Sequence, residues 1–124
     1  MKYMLLAYLD ENAWLAMSEA DQQREMAKCE PHVRRLVADG KVLGGAPLHP
    51  TSTATTIRVK QSKRMITDGP FAETPEQLGG YTLIEVADLD EAIEAAAGFL
   101  GEDSRTTIEV RPIIDYQFPK ADGE

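Results

Sequence analysis

The run Tyr3–Leu9, Tyr-Met-Leu-Leu-Ala-Tyr-Leu, constrains this chain more than any other stretch. It is apolar at odd and even positions alike. A strand with one wet face alternates, so this strand reads as covered on both faces. Seven residues are too few to span a bilayer, and Asp10-Glu11 follow at once. The run is therefore read as a buried strand, not as a leader or an anchor, and no membrane association is expected.

The rest of the chain supplies too few helices to cover that strand twice. Ser18-Glu19-Ala20-Asp21 resembles a capping box and opens a helix. Met26, Cys29, Val33, Leu36 and Val37 recur along it at helical spacing. Pro31 predicts a kink or two abutting helices, and Asp39-Gly40 ends the segment. Lys41–Leu48 reads as a strand whose Gly44-Gly45 implies a bulge or a close backbone approach. Thr55–Lys60 and Lys63–Thr67 form a hairpin about Gln61-Ser62, and Asp68-Gly69-Pro70 breaks it. Gly80–Val86 is a strand. Asp88 caps a second helix, with Leu89, Ile93, Ala96, Ala97 and Leu100 expected inside. Thr107–Ile114 is the last strand.

Without the hairpin, the order is βαββαβ, the ferredoxin-like split βαβ arrangement of the α+β class. Residues 1–116 make one domain, as 124 residues suggest, and 117–124 form a polar tail. Two helices cover one face of a four-stranded sheet. A homodimer that buries the other face resolves the conflict with the first strand. The alternative is a monomer whose hairpin and tail do that work.

Charge and composition exclude several functions. Thirteen Lys and Arg against 21 Asp and Glu leave −8, the wrong sign for direct nucleic-acid binding. The single Cys29 forbids an internal disulfide and fits a reduced, cytoplasmic setting. His32 and His49 are the only histidines, too few for a zinc site, so no metal is expected. Neither GxGxxG, nor a P-loop, nor GxSxG occurs. No cofactor is expected.

The stretch Ile66-Thr67-Asp68-Gly69-Pro70-Phe71-Ala72-Glu73-Thr74, continuing through Glu76–Tyr81, resembles the signature of the YCII-related (DGPF-domain) family. Met1–Leu6, Ala54–Val59 and Glu109–Pro112 resemble it too, so the likeness runs from Met1 to about Tyr116. The resemblance implies a ferredoxin-like fold that dimerises into an α+β barrel, in a bacterial, cytoplasmic protein. Some relatives accompany sigma factors. A His/Asp pair is proposed as catalytic in one branch. Asp68 would supply the acid. Glu30-Pro31-His32 resembles the Pro-x-His segment, yet His32 stands about one helical turn nearer Gly40 than that branch has it. Counted back from Gly40, Cys29 takes the histidine's place.

Each candidate carries two readings. Asp68 is either a turn residue or a base at a pocket mouth. His32 is either a packed helix histidine or a general base exchanging protons near neutrality. His49, between Leu48 and Pro50, reads as a loop residue, and Cys29 as an inert core thiol. Tyr81 and Glu85 share the strand face away from the helices, as do Glu109 and Arg111 on theirs. They form a polar dimer interface with cross-strand Glu–Arg pairs, or they line a pocket in which Arg111 anchors an anion. Tyr81, Glu85, Arg111 and the motif's Phe71 are the ligand-binding candidates. Two functions remain open, besides a structural partner protein whose dimer surface is its function. One is a cofactor-independent enzyme doing acid/base chemistry on a small organic molecule with Asp68 and His32 or Tyr81. The other is a non-catalytic ligand-binding or regulatory module linked to transcription.

Overall fold

The computed structural model describes residues 1–101 and 104–122. The last two residues of the expected tail, 123 and 124, lie outside them.

Among the described residues, six strands and three α-helices follow the order β1 (Lys2–Leu9), α1 (Glu11–Leu15), α2 (Glu19–Ala38), β2 (Val42–Pro47), β3 (Thr55–Lys60), β4 (Lys63–Asp68), β5 (Gln77–Glu85), α3 (Leu89–Ala97), β6 (Thr107–Pro112). A short 3₁₀ turn, Thr51–Thr53, precedes β3. Four strands form one antiparallel sheet in the order β2-β5-β1-β6, and β3 and β4 form a separate ribbon. The architecture is α+β with antiparallel sheets. By itself the chain is an open sheet with edges at β2 and β6, not a closed barrel.

Local chemistry explains the helix boundaries. The Ser18 hydroxyl accepts the Asp21 N–H at 3.1 Å and opens α2. At the far end Gly40, at φ +70°, turns the chain back. Gly40 N–H then reaches the Val37 carbonyl and Lys41 N–H the Leu36 carbonyl, the paired closure of a Schellman end. Pro31 sits inside this one helix, which runs unbroken through 20 residues; two abutting helices are not formed. Proline removes one backbone donor there, while both helix ends are capped. Asp88 opens α3 by accepting Glu91 N–H at 2.9 Å, and the Glu91 carboxylate returns to Ala87 N–H.

The core lies between the helices and one face of the sheet. Tyr3 and Leu5 of β1, with Ile84 of β5 and Val86 just beyond it, meet Leu36 of α2 and Ala92, Ala95 and Ala96 of α3. The alanines let α3 lie close to the strands. The expected stripe of Leu89 and Ile93 is therefore wrong: both are about half exposed. Met26 and Val37 of α2 are likewise exposed, and Leu36 is that helix's buried residue. Ile108 and Val110 pack against the core, but β6 stops at Pro112 and Ile114 stands in solvent.

Within the protomer β1 is covered on one face, not on the two that its sequence predicts. Its odd residues Tyr3 and Leu5 are buried, and its even residues Met4, Leu6 and Tyr8 remain half-buried with no helix above them. Leu83 and Tyr81 flank them on the same face.

Two bulges shape the β5 end of the sheet. In β2, Val42 pairs with Ile84 and Gly44 with Leu83, so Leu43 is the extra residue. A Cβ at Gly45 would lie 2.5 Å from the Tyr81 carbonyl oxygen, which is the close approach expected of Gly44-Gly45. In β5, Ala7 pairs with Gly80 and Tyr8 with Leu78, so Gly79 is extra, and a Cβ there would strike the Leu9 side chain. This bulge carries β5 back to Gln77, three residues before the expected start at Gly80.

Candidate functional site

The hairpin base and the β2–β3 connection together make a groove. Its volume is about 440 Å³, within the range of small-molecule pockets. Leu48, Pro70, Phe71 and Leu78 supply apolar walls, Thr51, Thr53 and Thr56 supply hydroxyls, and among the described residues His49 is its one ionisable side chain. Phe71 projects into solvent at the rim.

Backbone and carboxylate contacts hold these walls in place. Gly69 N–H donates to the Ala54 carbonyl at 2.7 Å, and the Thr56 hydroxyl donates to the Gly69 carbonyl at 2.8 Å. Both close the turn that delivers Pro70 and Phe71. On the other side, the Glu11 carboxylate accepts Thr51 N–H at 2.8 Å and the Thr51 hydroxyl at 2.7 Å. Glu11 N–H in turn donates to Gln77 Oε1 at 2.9 Å. Asp10 caps α1, so the Asp10-Glu11 pair at the end of β1 positions the groove.

Asp68 ends β4 opposite Thr55 and is exposed. Its carboxylate enters no hydrogen bond among the described residues and does not line the groove. Phe71 does. Tyr81, Glu85 and Arg111 stand together on the open sheet face, with Tyr81 opposite Leu6, Glu85 opposite Lys2 and Arg111 opposite Met4. Arg111 approaches Glu109 of its own strand at 3.8 Å, so this Glu–Arg contact runs along β6 and not across strands.

His32 is elsewhere. Its Nε2–H donates to the Ala95 carbonyl at 2.7 Å, and its ring meets Phe99 edge-on at 4.9 Å. Phe99 N–H bonds the Ala96 carbonyl and Gly98 N–H bonds that of Glu94, so α3's end leaves the Ala95 carbonyl to His32. Gly98 lies against the imidazole, and a Cβ there would overlap it. His32 thus ties α2 to the end of α3. It faces a different cleft of about 200 Å³, lined also by Arg35, Asp39, Lys41, Glu91 and Glu94. His32 and Asp68 share neither cleft nor bond among the described residues.

The second cleft is closed by Lys41 and Glu91, 2.8 Å apart and each about a third exposed. The hydrogen bond from Lys41, followed by that from Ala87 N–H, holds the Glu91 carboxyl below its usual range. The same bond holds the Lys41 ammonium above its usual range. A lowered acid stabilises the fold above its unfolded pKa and loses that contribution as pH falls through the folded one. Glu91→Gln is therefore expected to lower the melting temperature at pH 7 and to flatten the acid limb below pH 4.5, the ordinary value, so that the two proteins converge toward pH 3. Melting temperatures measured from pH 3 to 7 check this.

Burial, and secondly the Glu25 charge, push the Cys29 thiol up, and its Sγ lies 3.6 Å from the Phe99 carbonyl oxygen. That suits an unreactive thiol. Among the described residues no cluster of three His, Cys, Asp or Glu could hold a metal ion, and no helix is long and apolar enough to cross a membrane.

His49, read from sequence as a loop residue, lines the groove, and Glu11, which anchors Thr51, is a residue that sequence reading does not single out for function. His49 stands in a loop 22 residues before Phe71, and only the folded connection brings them together. For Glu11 the one available signal is an acidic pair directly after an apolar strand.

The model of the YCII-related domain matches residues 1–117. An uncharacterised protein of Rhizobium meliloti (strain 1021) is 39% identical over 118 residues, covering 94% of this chain and 95% of that protein.

Proposed function

Because this chain belongs to the YCII-related domain family, we propose that it is a small-molecule-binding protein whose site is the groove beside Asp68-Gly69-Pro70-Phe71. The observation that carries this reading is the groove's composition. Apolar walls can bury a small organic ligand, and hydroxyls with one imidazole can orient it. The contacts of Glu11 and Gly69 fix both walls in the absence of ligand.

We propose a dimer of ferredoxin-like protomers. The strand order β2-β5-β1-β6 is the split βαβ order once the ribbon is set aside. The half-buried Met4, Leu6 and Leu83 lack a covering layer, and two such faces stacked together form the α+β barrel. Tyr81, Glu85 and Arg111 then line the space between the sheets.

Binding is the role the geometry favours over acid/base catalysis. Proton transfer needs a pair within about 3 Å or one bridging water. His32 is committed to the Ala95 carbonyl on the helix side, and Asp68 is on the ribbon. In the groove, His49 is a single imidazole without a carboxylate partner among the lining residues.

A thermal-shift screen tests the site. Small acids, phenols and amines are offered to wild type, Phe71→Ala, His49→Ala and Asp68→Asn. A ligand at ten times its Kd adds about 1.4 kcal/mol, roughly 5 °C for a chain of this length. The expected result is a shift that Phe71→Ala and His49→Ala abolish. A shift that survives both substitutions would place the ligand elsewhere and end this reading. Loss in Asp68→Asn alone would restore the carboxylate as the binding group.

A further inference from the structure

Two extended pieces of this chain leave their apolar side chains in water. One is the β3–β4 ribbon. Its turn residues Gln61 and Ser62 take φ of +51° and +66°, the left-handed pair of a tight hairpin, so its register is well set. Ile57 and Ile66 are directly paired, and Val59 lies two residues along the same face. Among the described residues the ribbon has no third strand. The other piece follows β6, where Ile114, Tyr116 and Phe118 alternate, with Tyr116 edge-on to Phe118 at 5.0 Å. All six side chains are more than 60% exposed. A two-stranded ribbon alone is marginal in water, and uncovered strand edges invite pairing.

The sheet's connectivity separates the two pieces. β2 and β6 are its opposite edges. Through the antiparallel pairs β2·β5, β5·β1 and β1·β6, β2 runs in the same sense as β1, and β6 runs against it. The ribbon follows the end of β2 and the C-terminal segment follows the end of β6. They therefore leave from diagonally opposite corners. A twofold axis between two stacked sheets, lying along the other diagonal, carries each corner onto the partner's opposite one. The sheets then cross at near right angles, one of the two standard sheet packings.

We propose that the occupant of the ribbon's apolar face is the C-terminal segment of a second copy. Ile57, Val59 and Ile66 of one protomer pack on Ile114, Tyr116 and Phe118 of the other, and the exchange is reciprocal. The inference rests on the dimer proposed above. Charge favours the same occupant. The ribbon, residues 55–68, holds four of the 13 cations and one of the 21 acids, so the other 110 residues carry nine cations against 20 acids. Past β6, residues 113–124 hold Asp115, Asp122 and Glu124 against Lys120. A basic ribbon and an acidic segment of this same chain attract each other.

The test uses the full wild-type chain. Isotope-labelled and unlabelled protein are co-incubated until subunits scramble. They are then joined by a zero-length carbodiimide and read by mass spectrometry. The expected result is mixed-isotope peptides linking Lys60 or Lys63 to Asp115 or Asp122. Alongside, Val59→Ser and Phe118→Ser each weaken the dimer at least tenfold, and the double variant is no weaker than the worse single one. A dimer with no mixed-isotope ribbon–segment link, or one insensitive to both substitutions, overturns the exchange and leaves the dimer standing. A chain that sediments as a monomer overturns both.

Discussion

His32→Ala is expected to melt about 10 °C below wild type while the ligand response of the groove stays unchanged. The Ala95 carbonyl loses its partner, which costs about 1–3 kcal/mol for a shielded acceptor. Removal of a half-buried ring beside Phe99 adds a cavity penalty, for a total of about 3 kcal/mol. A chain of 124 residues loses roughly 4 °C per kcal/mol. Gly98 supplies an internal control. Gly98→Ala drives a methyl into the imidazole and destabilises on its own, but in the His32→Ala background that methyl enters vacated space. The double variant is expected to be more stable than the sum of the singles predicts. Additive losses would show that the two residues do not meet as described. A His32→Ala protein that keeps its melting temperature but loses ligand response would make the imidazole functional.

Leu83→Asp is expected to weaken the dimer more than 100-fold and leave a folded monomer. Leu83 sits mid-sheet between Met4 and Gly44, facing away from the helices, while its neighbour Ile84 is fully buried beneath them. A carboxylate there costs little in a lone protomer, where water reaches it. Between two stacked sheets it must be desolvated among Met4, Leu6 and Leu83 of both copies, at about 3 kcal/mol or more. Glu85→Gln, on the same strand face, is expected to change the dissociation constant by less than threefold. Sedimentation equilibrium with circular dichroism distinguishes the outcomes. An unshifted dissociation constant would place the interface elsewhere, and loss of fold would mean that Leu83 is needed within the protomer.

Much of this fold was legible because short-range chemistry dictates it. Ser18 and Asp88 capped the helices that their spacing announced, and Gln61-Ser62 made the turn between two β-branched runs. The apolar even positions of β1 did report a face that no helix covers. Side-chain burial was less legible. Periodicity placed Leu89 and Ile93 inside α3, whereas the packing distance to the sheet chose Ala92 and Ala95. The groove was the least legible feature. His49 and Thr51 stand 20 or more residues before Phe71, and the bonds of Gly69 with Ala54 and Thr56 bring the two stretches together. His32 was visible as a helix residue, but its partner depended on where α3 ends, which needed the tertiary structure.

The extra residue at Gly79 gives the end of β5 a parity. Ahead of it, Leu78 pairs with Tyr8 and floors the groove, and Gln77 accepts from Glu11. Beyond it, odd and even positions sort between the open face and the core. Most single substitutions here alter one contact. Deleting Gly79 would leave Leu78 opposite Tyr8 but remove the bend that the bulge puts into β5, shifting Leu78 and Gln77 against the loops they hold. Groove floor and Glu11 anchor would fail in one step. Lineages carrying this site should therefore keep both the count of this segment and a glycine at its extra position.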